Sequence, residues 1–391
     1  MNYILFDGPS RDNLLPFTYT RPVAEIRVGI LTIREKWEKY LGYTTTTVTE
    51  DYLSDKYPMV ELEENIMINA SILPNLNLVN VIKGLKENQA VFKKDTVIAF
   101  YAKEAQDNID FNDFEVIEFD DEIINIEHTW DIFSKNGEAL EEDFNLLTKG
   151  KVSQPIPSSN NVIGAENIFL EEGVDLEFVT LNASKGPIYI AKGALIMEGS
   201  LIRGPFALCD NGVVKMGAKI YGPTTIGPQS KVGGEISNSV VFANSNKGHD
   251  GYLGNSVLGE WCNLGADTNT SNLKNNYAEV RLWDYSSERF AKTGLQFCGL
   301  MMGDHSKCSI NTMFNTGTVV GVSANIFGTG FPRNFVPSFS WGGSNGYTTY
   351  LTKKAFEVAK IVMDRRKVDF TSQDQAILEY VFENTEKYRK N

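Results

Sequence analysis

The stretch Ile190-Ala-Lys-Gly-Ala-Leu-Ile196-Met-Glu-Gly-Ser-Leu-Ile202 opens a pattern that continues to Val232. Every sixth residue is aliphatic: Ile190, Ile196, Ile202, Leu208, Val214, Ile220, Ile226 and Val232. Four places after each of these stand Ala194, Ser200, Phe206, Gly212, Ala218, Thr224, Ser230 and Ile236, mostly small. If roughly a third of residues are aliphatic or similar, eight in a row arises by chance on the order of once in several thousand frames. The phase then shifts. It resumes at Leu258 and Leu264, with Cys262 and Thr268 in fourth place, and returns as Met302, Cys308, Phe314, Val320 and Ile326. A weaker set, Val162, Ile168 and Val174, comes earlier. A period of six belongs neither to a helix nor to a hairpin. It fits a short strand and a tight corner, repeated three times per coil, with the aliphatic residue inside a triangular prism and glycine or asparagine at the corners. The pattern predicts a left-handed parallel β-helix; the competing reading is a glycine-rich sandwich.

Around this block the chain changes character. Residues 272–297 interrupt the repeat and are expected to leave the coil as a loop. Beyond Trp341-Gly-Gly343, apolar residues at helical spacing predict two amphipathic helices, over 352–367 and 372–390. Residues 1–155 hold 15 Lys and Arg against 28 Asp and Glu, a balance of −13, whereas residues 156–391 hold 22 of each. Only six of the 33 glycines precede residue 156. Two compositions on one chain predict an α/β domain over 1–155, a β-helix domain over 156–345 and carboxy-terminal helices over 346–391, with the first boundary near Ser153-Gln-Pro-Ile-Pro-Ser-Ser-Asn-Asn161.

The acidic balance argues against a nucleic-acid partner. No apolar run reaches the ~18 residues of a membrane span. The start, Met1-Asn-Tyr-Ile-Leu-Phe6, has no secretory pattern, and four cysteines without CxxC spacing suggest neither disulfides nor a zinc cluster, so a cytoplasmic setting is expected.

In the first half, Tyr3–Phe6, Thr44–Thr49, Asn65–Asn69, Asp95–Tyr101 and Phe114–Phe119 read as strands. Ala24–Tyr40, interrupted at Val28-Gly29, and Leu78–Lys86 read as helices. The alternation predicts a mostly parallel α/β sheet with its ligand site at the carboxyl ends of the strands. The loop after Phe6 carries Gly8 and Arg11, and Arg21 and Arg27 follow. These arginines either cradle phosphates as bidentate donors or pair with acids of the acidic domain. The acidic run Asp107–Asp121 reads as a solvated face.

The segments Lys247-Gly-His-Asp-Gly-Tyr-Leu-Gly254, Leu264-Gly-Ala-Asp-Thr268 and Asn272 resemble the acetyltransferase half of the bifunctional UDP-N-acetylglucosamine pyrophosphorylase/glucosamine-1-phosphate N-acetyltransferase family. Leu5-Phe-Asp-Gly8, Leu15-Pro-Phe-Thr-Tyr-Thr-Arg-Pro22 and Gly29-Ile-Leu-Thr-Ile-Arg34 resemble a shortened nucleotidyltransferase half. The resemblance implies acetyl transfer from acetyl-CoA to the amine of glucosamine 1-phosphate, coupled to joining of a sugar 1-phosphate to UTP or another nucleoside triphosphate. It implies His249 as general base, Tyr252, Asn263 and Asn272 in the sugar pocket, Ala266 beside the CoA arm, and a homotrimer. Arg203 or Lys219 is expected to hold the sugar phosphate. Gly8, Arg11, Arg21 and Arg27 are the expected nucleotide contacts. Departures fall mainly in the first half: Asp-Gly-Pro-Ser-Arg replaces the Gly-x-Gly-Thr-Arg loop, Val23 follows Pro22 where lysine is expected, and Asn69-Ala-Ser71 stands where a Gly-Asp pair would bind Mg2+. Asp7 is the one candidate substitute, and the metal ligands stay open.

Three histidines are present. His249, among glycines and small polar residues, suits an exposed loop site, and an imidazole can take a proton from an ammonium near neutral pH. His305 fits a prism face, and His128 carries no motif. The spacing of His249 and His305 does not suit the three-imidazole zinc site of β-helix carbonic anhydrases. The other readings are a sugar-1-phosphate nucleotidyltransferase whose β-helix only assembles the oligomer, and a non-catalytic scaffold that binds sugar nucleotides.

Overall fold

A computed structural model describes residues 2–103 and 109–389; the first two residues of the acidic run and Lys390 lie outside the described residues. The amino-terminal part holds six strands: β1 (Asn2–Phe6), β2 (Thr46–Val48), β3 (Asn65–Asn69), β4 (Gln89–Lys93), β5 (Thr96–Ala102) and β6 (Glu115–Glu118). Among the described residues five α-helices accompany them, besides short 3-10 turns: α1 (Ile33–Leu41), α2 (Asp51–Ser54), α3 (Leu76–Lys83), α4 (Asp131–Ser134) and α5 (Asn136–Thr148). The sheet order is β2-β1-β3-β5-β4-β6. It is mostly parallel, as expected: β1, β2, β3, β4 and β6 run in one direction, and β5 is reversed, running against β3 and joined to β4 in a tight hairpin through Lys94 (φ 53°). The helix expected from Ala24 shrinks to α1. Gly29 takes φ 76°, and the Thr32 hydroxyl and the Glu35 carboxylate form a reciprocal cap that starts the helix at Ile33.

From Asn161 the chain winds as a parallel β-helix. Its three faces are sheets of six strands (Asn161–Ile163 to Tyr252–Gly254), nine strands (Ile168–Leu170 to Phe335–Val336) and ten strands (Asp175–Leu176 to Gly346–Thr349). All eight aliphatic residues of the sixfold series are buried in one interior stack. Each contributes roughly 1.5–3 kcal/mol of burial. In the regular coils, residues eighteen apart pair, as Ile190 with Leu208 and Leu208 with Ile226. The phase shift is a run of shortened coils: Ile226 pairs with Val241, Val232 with Lys247, and Ile236 with Leu253. A lysine thus occupies one of the interior aliphatic positions.

The insertion 272–297 is more than a loop. Arg281–Asp284 and Arg289–Lys292 form an antiparallel hairpin whose Trp283 stacks on Phe335 at 4.2 Å. The carboxy-terminal helices are α6 (Thr352–Asp364), α7 (Ser372–Asn384) and α8 (Glu386–Arg389), the last two separated at Thr385.

The three faces of the prism meet different neighbours. The nine-stranded face turns Val240, Phe242, Val257, Met301 and Val319 into a common core with the amino-terminal sheet and its helices. Phe17 meets Phe242 there at 5.5 Å. The end of α6 lies over the ten-stranded face, where Arg366 donates to Asn246 Oδ1 at 3.1 Å. The six-stranded face stays open and exposes Leu201 and Tyr221.

Candidate functional site

Outward residues of the six-stranded face stack in columns set by the register. Leu201, Lys219, Glu235 and Tyr252 form one column, and Arg203, Tyr221, Ser237 and Gly254 the next. Adjacent strands lie ~4.8 Å apart, so Lys219 and Tyr252 flank Glu235 on neighbouring strands. Lys219 Nζ lies 3.7 Å from Glu235 Oε2, and Tyr221 Oη donates to Glu235 Oε1 at 2.7 Å. Burial, reinforced by that bond, pushes the Tyr221 phenol up to about 12. A groove of about 740 Å3 runs along this face and brings Arg203, Lys185 and Lys219 together over Thr180 and Asn182.

At the shortened coils the columns end in a polar cluster. Asn272 Nδ2 donates to Tyr252 Oη at 3.0 Å and to Asn255 Oδ1 at 2.8 Å. Burial raises the Tyr252 phenol above its usual value. Gly254 makes the cluster possible, since a Cβ there would lie 2.3 Å from Tyr252 Oη and 2.7 Å from Asn272 Nδ2. The family resemblance singles out Tyr252 and Asn272. That Tyr221, Glu235 and Ser237 lie on the same face is set by the coil register.

His249 stands at the corner where the chain passes from the ten-stranded face, Asn246–Lys247, to Tyr252–Gly254. Its side chain is exposed. The corner is held from inside by Lys247, which is fully buried between Val232 and the next coil. The Lys247 ammonium donates to the carbonyls of His249 at 2.5 Å and Asp250 at 2.9 Å, and burial pulls it down to about 8. Gly251 adopts φ 105° with its Cβ direction 2.1 Å from Thr268 O, so the backbone passes where no side chain fits. Ala266 lies at the corner one coil on, where Asp267 N donates to Asp250 O at 3.1 Å.

Asn263 is not part of this cluster. It lies on the ten-stranded face, in register with Asn246 and Lys307, and lines a separate pocket with Arg365 and Arg366 of the α6 end.

The amino-terminal cleft has a different make-up. A cavity of about 600 Å3 opens at the carboxyl ends of β1, β2 and β3, beside Phe6, Val48 and Asn69. Its charged lining is acidic, with Asp7, Asp95 and Glu127, and His128 beside them. Gly8 sits at its lip, with its Cβ direction 3.1 Å from Asn69 Oδ1. None of the three arginines lines it. Arg11 is buried on Asp7 at 3.0 Å, Thr18 O at 2.8 Å and Tyr52 Oη at 2.8 Å. Arg21 reaches across to the β-helix and pairs with Asp304 and, at 2.9 Å, with Glu260. Arg27 bonds Ile30 O and lies 3.5 Å from Glu35.

Magnesium does not fit the residues at this cleft. Asn69 Oδ1 already accepts from the Ser71 amide and hydroxyl. Asp7 takes Val23 N on one oxygen, and Arg11 and Thr49 on the other. Burial nonetheless raises its carboxyl above the ordinary range. Among the described residues no group of three or more His, Cys, Asp or Glu is placed to hold a metal.

His128 stacks on Trp130 at 4.3 Å. His305 is half-buried against Trp261 at the seam of the two domains, its Nδ1 buried and without a partner among the described residues, and this desolvation pushes its imidazole down to about 3. All four cysteines are free and buried, and burial raises every thiol.

Residues 3–152 match the family model for sugar nucleotidyl transferases. Curated relatives span both halves. The bifunctional protein GlmU of Methanococcus maripaludis is 25% identical over 286 residues, 73% of this chain and 61% of that protein. The bifunctional protein GlmU of Methanocaldococcus jannaschii is 26% identical over 192 residues, 49% of this chain and 40% of that protein. The bifunctional sugar-1-phosphate nucleotidylyltransferase/acetyltransferase of Sulfurisphaera tokodaii is 27% identical over 145 residues, 37% of this chain and 36% of that protein. The chain thus spans less than two thirds of the length of each of these relatives. Among solved structures, the UDP-N-acetylglucosamine acyltransferase of Francisella novicida covers 59% of this chain and 90% of its own, at 13% identity and a TM-score of 0.32. Among the described residues no helix is long and apolar enough to cross a membrane.

Proposed function

We propose, on the premise that the chain is a GlmU-like protein with a sugar nucleotidyl transferase-type amino-terminal domain, that its working site is the corner and open face of the β-helix and that the reaction is acetyl transfer from acetyl-CoA to the amine of glucosamine 1-phosphate. The observation that carries this reading is the cluster of Tyr252, Asn255 and Asn272 on an open face, beside an exposed His249. In this reading His249 takes the proton that the attacking amine must lose. Tyr252 and Asn272 orient the sugar, and Arg203, Lys185 or Lys219 holds its phosphate along the groove. Ala266, small and one coil away, leaves room for the acetyl donor's arm. The nitrogen–carbonyl bond forms as the carbon–sulfur bond breaks, and the CoA thiolate leaves. The buried, protonated thiols favour direct attack over a cysteine-bound acetyl group. The protein is expected to act as a homotrimer in the cytoplasm.

A second reading, nucleotidyl transfer by the amino-terminal domain, has the family match over residues 3–152 behind it. The inward-turned arginines and the occupied oxygens of Asp7 and Asn69 weigh against a metal-bound triphosphate there. The experiment that separates the readings is incubation with glucosamine 1-phosphate, acetyl-CoA, UTP and magnesium, each omitted in turn. Thiol release that needs only the sugar phosphate and acetyl-CoA supports the proposal. Pyrophosphate release with no thiol release overturns it.

A further inference from the structure

On the ten-stranded face the register aligns Lys231, Asn246, Asn263 and Lys307 in one outward ladder. The carboxy-terminal end of α6 arches over it and adds Arg365 and Arg366. Together they enclose a pocket of about 520 Å3. Four of its lining residues are cations, two are amides, and none of the described lining residues is acidic. None of the four cations makes an ion pair among the described residues: Arg366 is held by the Asn246 amide oxygen at 3.1 Å, and Lys307 by the His305 carbonyl at 2.8 Å. In a chain of net charge −13, four unpaired cations converging on one cavity are a departure from the rest of the molecule.

The crowding has electrostatic consequences. Burial pulls the Lys307 ammonium down to about 8, with the Cys262 thiol its one opposing neighbour. Lys231 is lowered by burial and by the nearby Arg366, Lys215 and Arg365, and Arg366 by burial and by Arg365. Like charges are brought together at a cost when nothing lies between them. A polyanion would remove that cost and use the forked guanidinium donors and the ammonium point charges together.

We propose that this pocket is a binding site for a small molecule carrying two or more phosphate charges, separate from the His249 corner. Four converging cations call for more charge than a single carboxylate brings. The cavity is of small-molecule size, and the Asn246 and Asn263 side chains can supply neutral donors to ester or hydroxyl oxygens. The site combines two parts of the chain, the regular ladder of the β-helix and the end of a helix outside it. This assigns α6 a role in ligand binding, and the proposal stands whether or not the corner transfers acetyl groups.

Titration calorimetry of inorganic pyrophosphate into the full chain at low salt tests it. We expect saturable binding that weakens steeply with added salt. It should weaken at least tenfold in R365A/R366A, which alters only the end of α6 and should keep the fold. K192M, at an exposed corner of the β-helix, should bind like the unaltered chain, and citrate should bind more weakly than pyrophosphate. Absence of pyrophosphate binding, or equal binding by R365A/R366A, overturns the proposal. Equal loss of binding in K192M means that the response is not specific to this pocket and overturns it too, and citrate binding more tightly than pyrophosphate overturns the phosphate assignment.

Discussion

The amino-terminal cleft and the open β-helix face treat their charged residues in opposite ways. In the first domain Arg11, Arg21 and Arg27 follow the first strand closely, as phosphate-binding arginines would, yet all three are buried and bonded to protein groups. On the β-helix, Arg203 and Lys185 line an open groove, Lys219 has one loose contact with Glu235, and His249 is exposed. A guanidinium bonded to buried carboxylates is already committed to holding the fold. Availability, more than residue type, separates the two regions, and each substitution below probes one side of that difference.

The largest effect is expected at the corner. His249→Ala should reduce acetyl-transfer kcat by ~10²–10⁴ with a smaller change in sugar binding, because a general base acts mainly in the transition state. Since the side chain is exposed, the melting temperature should stay put. A variant acetylating glucosamine 1-phosphate at the unaltered rate would break the comparison and leave the β-helix as an assembly device.

On the other side, Arg21→Ala should act on stability. It removes the partner of Asp304, whose carboxylate is buried and also accepts from Thr20 and the Glu260 amide. Breaking a buried pair by removing one partner costs ~3–5 kcal/mol, to be read as a fall in melting temperature or denaturation midpoint. If Arg21→Ala leaves stability intact and weakens UTP binding, the arginine is a nucleotide contact after all.

How much of this was visible in the sequence follows the same division. The sixfold period fixes which residues face inward over many coils, because each coil repeats the same geometry. The β-helix and its interior stack were therefore legible from Ile190 to Val232. What a period cannot carry is the partner across a coil. The meeting of Tyr221, Glu235 and Tyr252 on one face depends on coils shortened at Val241 and Lys247, where the pattern loses phase. Asn263 shares the motif with Tyr252 and Asn272 but occupies another face: its strand pairs with Asn246 and Lys307 on the ten-stranded face, whereas Tyr252 pairs with Glu235 on the six-stranded one and Asn272 bonds to it there. In the first domain, arginine spacing left phosphate binding and ion pairing equally open. The contacts that decide, Asp304 and Glu260 for Arg21, lie more than 200 residues away.

The seam where Arg21 crosses also holds His305, and this gives a pH test. Its imidazole is held neutral, with a folded value of about 3 against an ordinary 6.5, because it is desolvated; Lys307 and Lys56 disfavour the charge and Glu260 and Asp374 favour it. Between those values the unfolded chain binds a proton that the folded chain does not. The contribution is fully present above pH 6.5 and is lost as pH falls toward 3, by ~1.4 kcal/mol per pH unit at its steepest. Asn tolerates the φ of 61° at this position, so His305→Asn should give a shallower acid limb in denaturation from pH 6.5 to 4. An unchanged slope would mean that the imidazole is protonated in the folded protein and that the seam is wetter than its burial implies.

The smallest expected effect lies within the polar cluster itself. Tyr252→Phe keeps the ring and the strand and removes only the oxygen that accepts from Asn272 at 3.0 Å. Asn272 Nδ2 retains Asn255 Oδ1 at 2.8 Å, so its position should hold and no buried donor is orphaned. A neutral hydrogen bond contributes ~0.5–1.5 kcal/mol, which sets the scale for both outcomes. If the phenol orients the sugar, KM for glucosamine 1-phosphate should rise about two- to tenfold while kcat changes little, because binding to substrate and transition state suffers alike. If instead the phenol only braces Asn272, KM should stay constant and the loss should appear as a small drop in melting temperature. The ratio of the KM change to the stability change thus assigns the face's central tyrosine either to the ligand or to the fold, the alternative already posed for the arginines of the first domain.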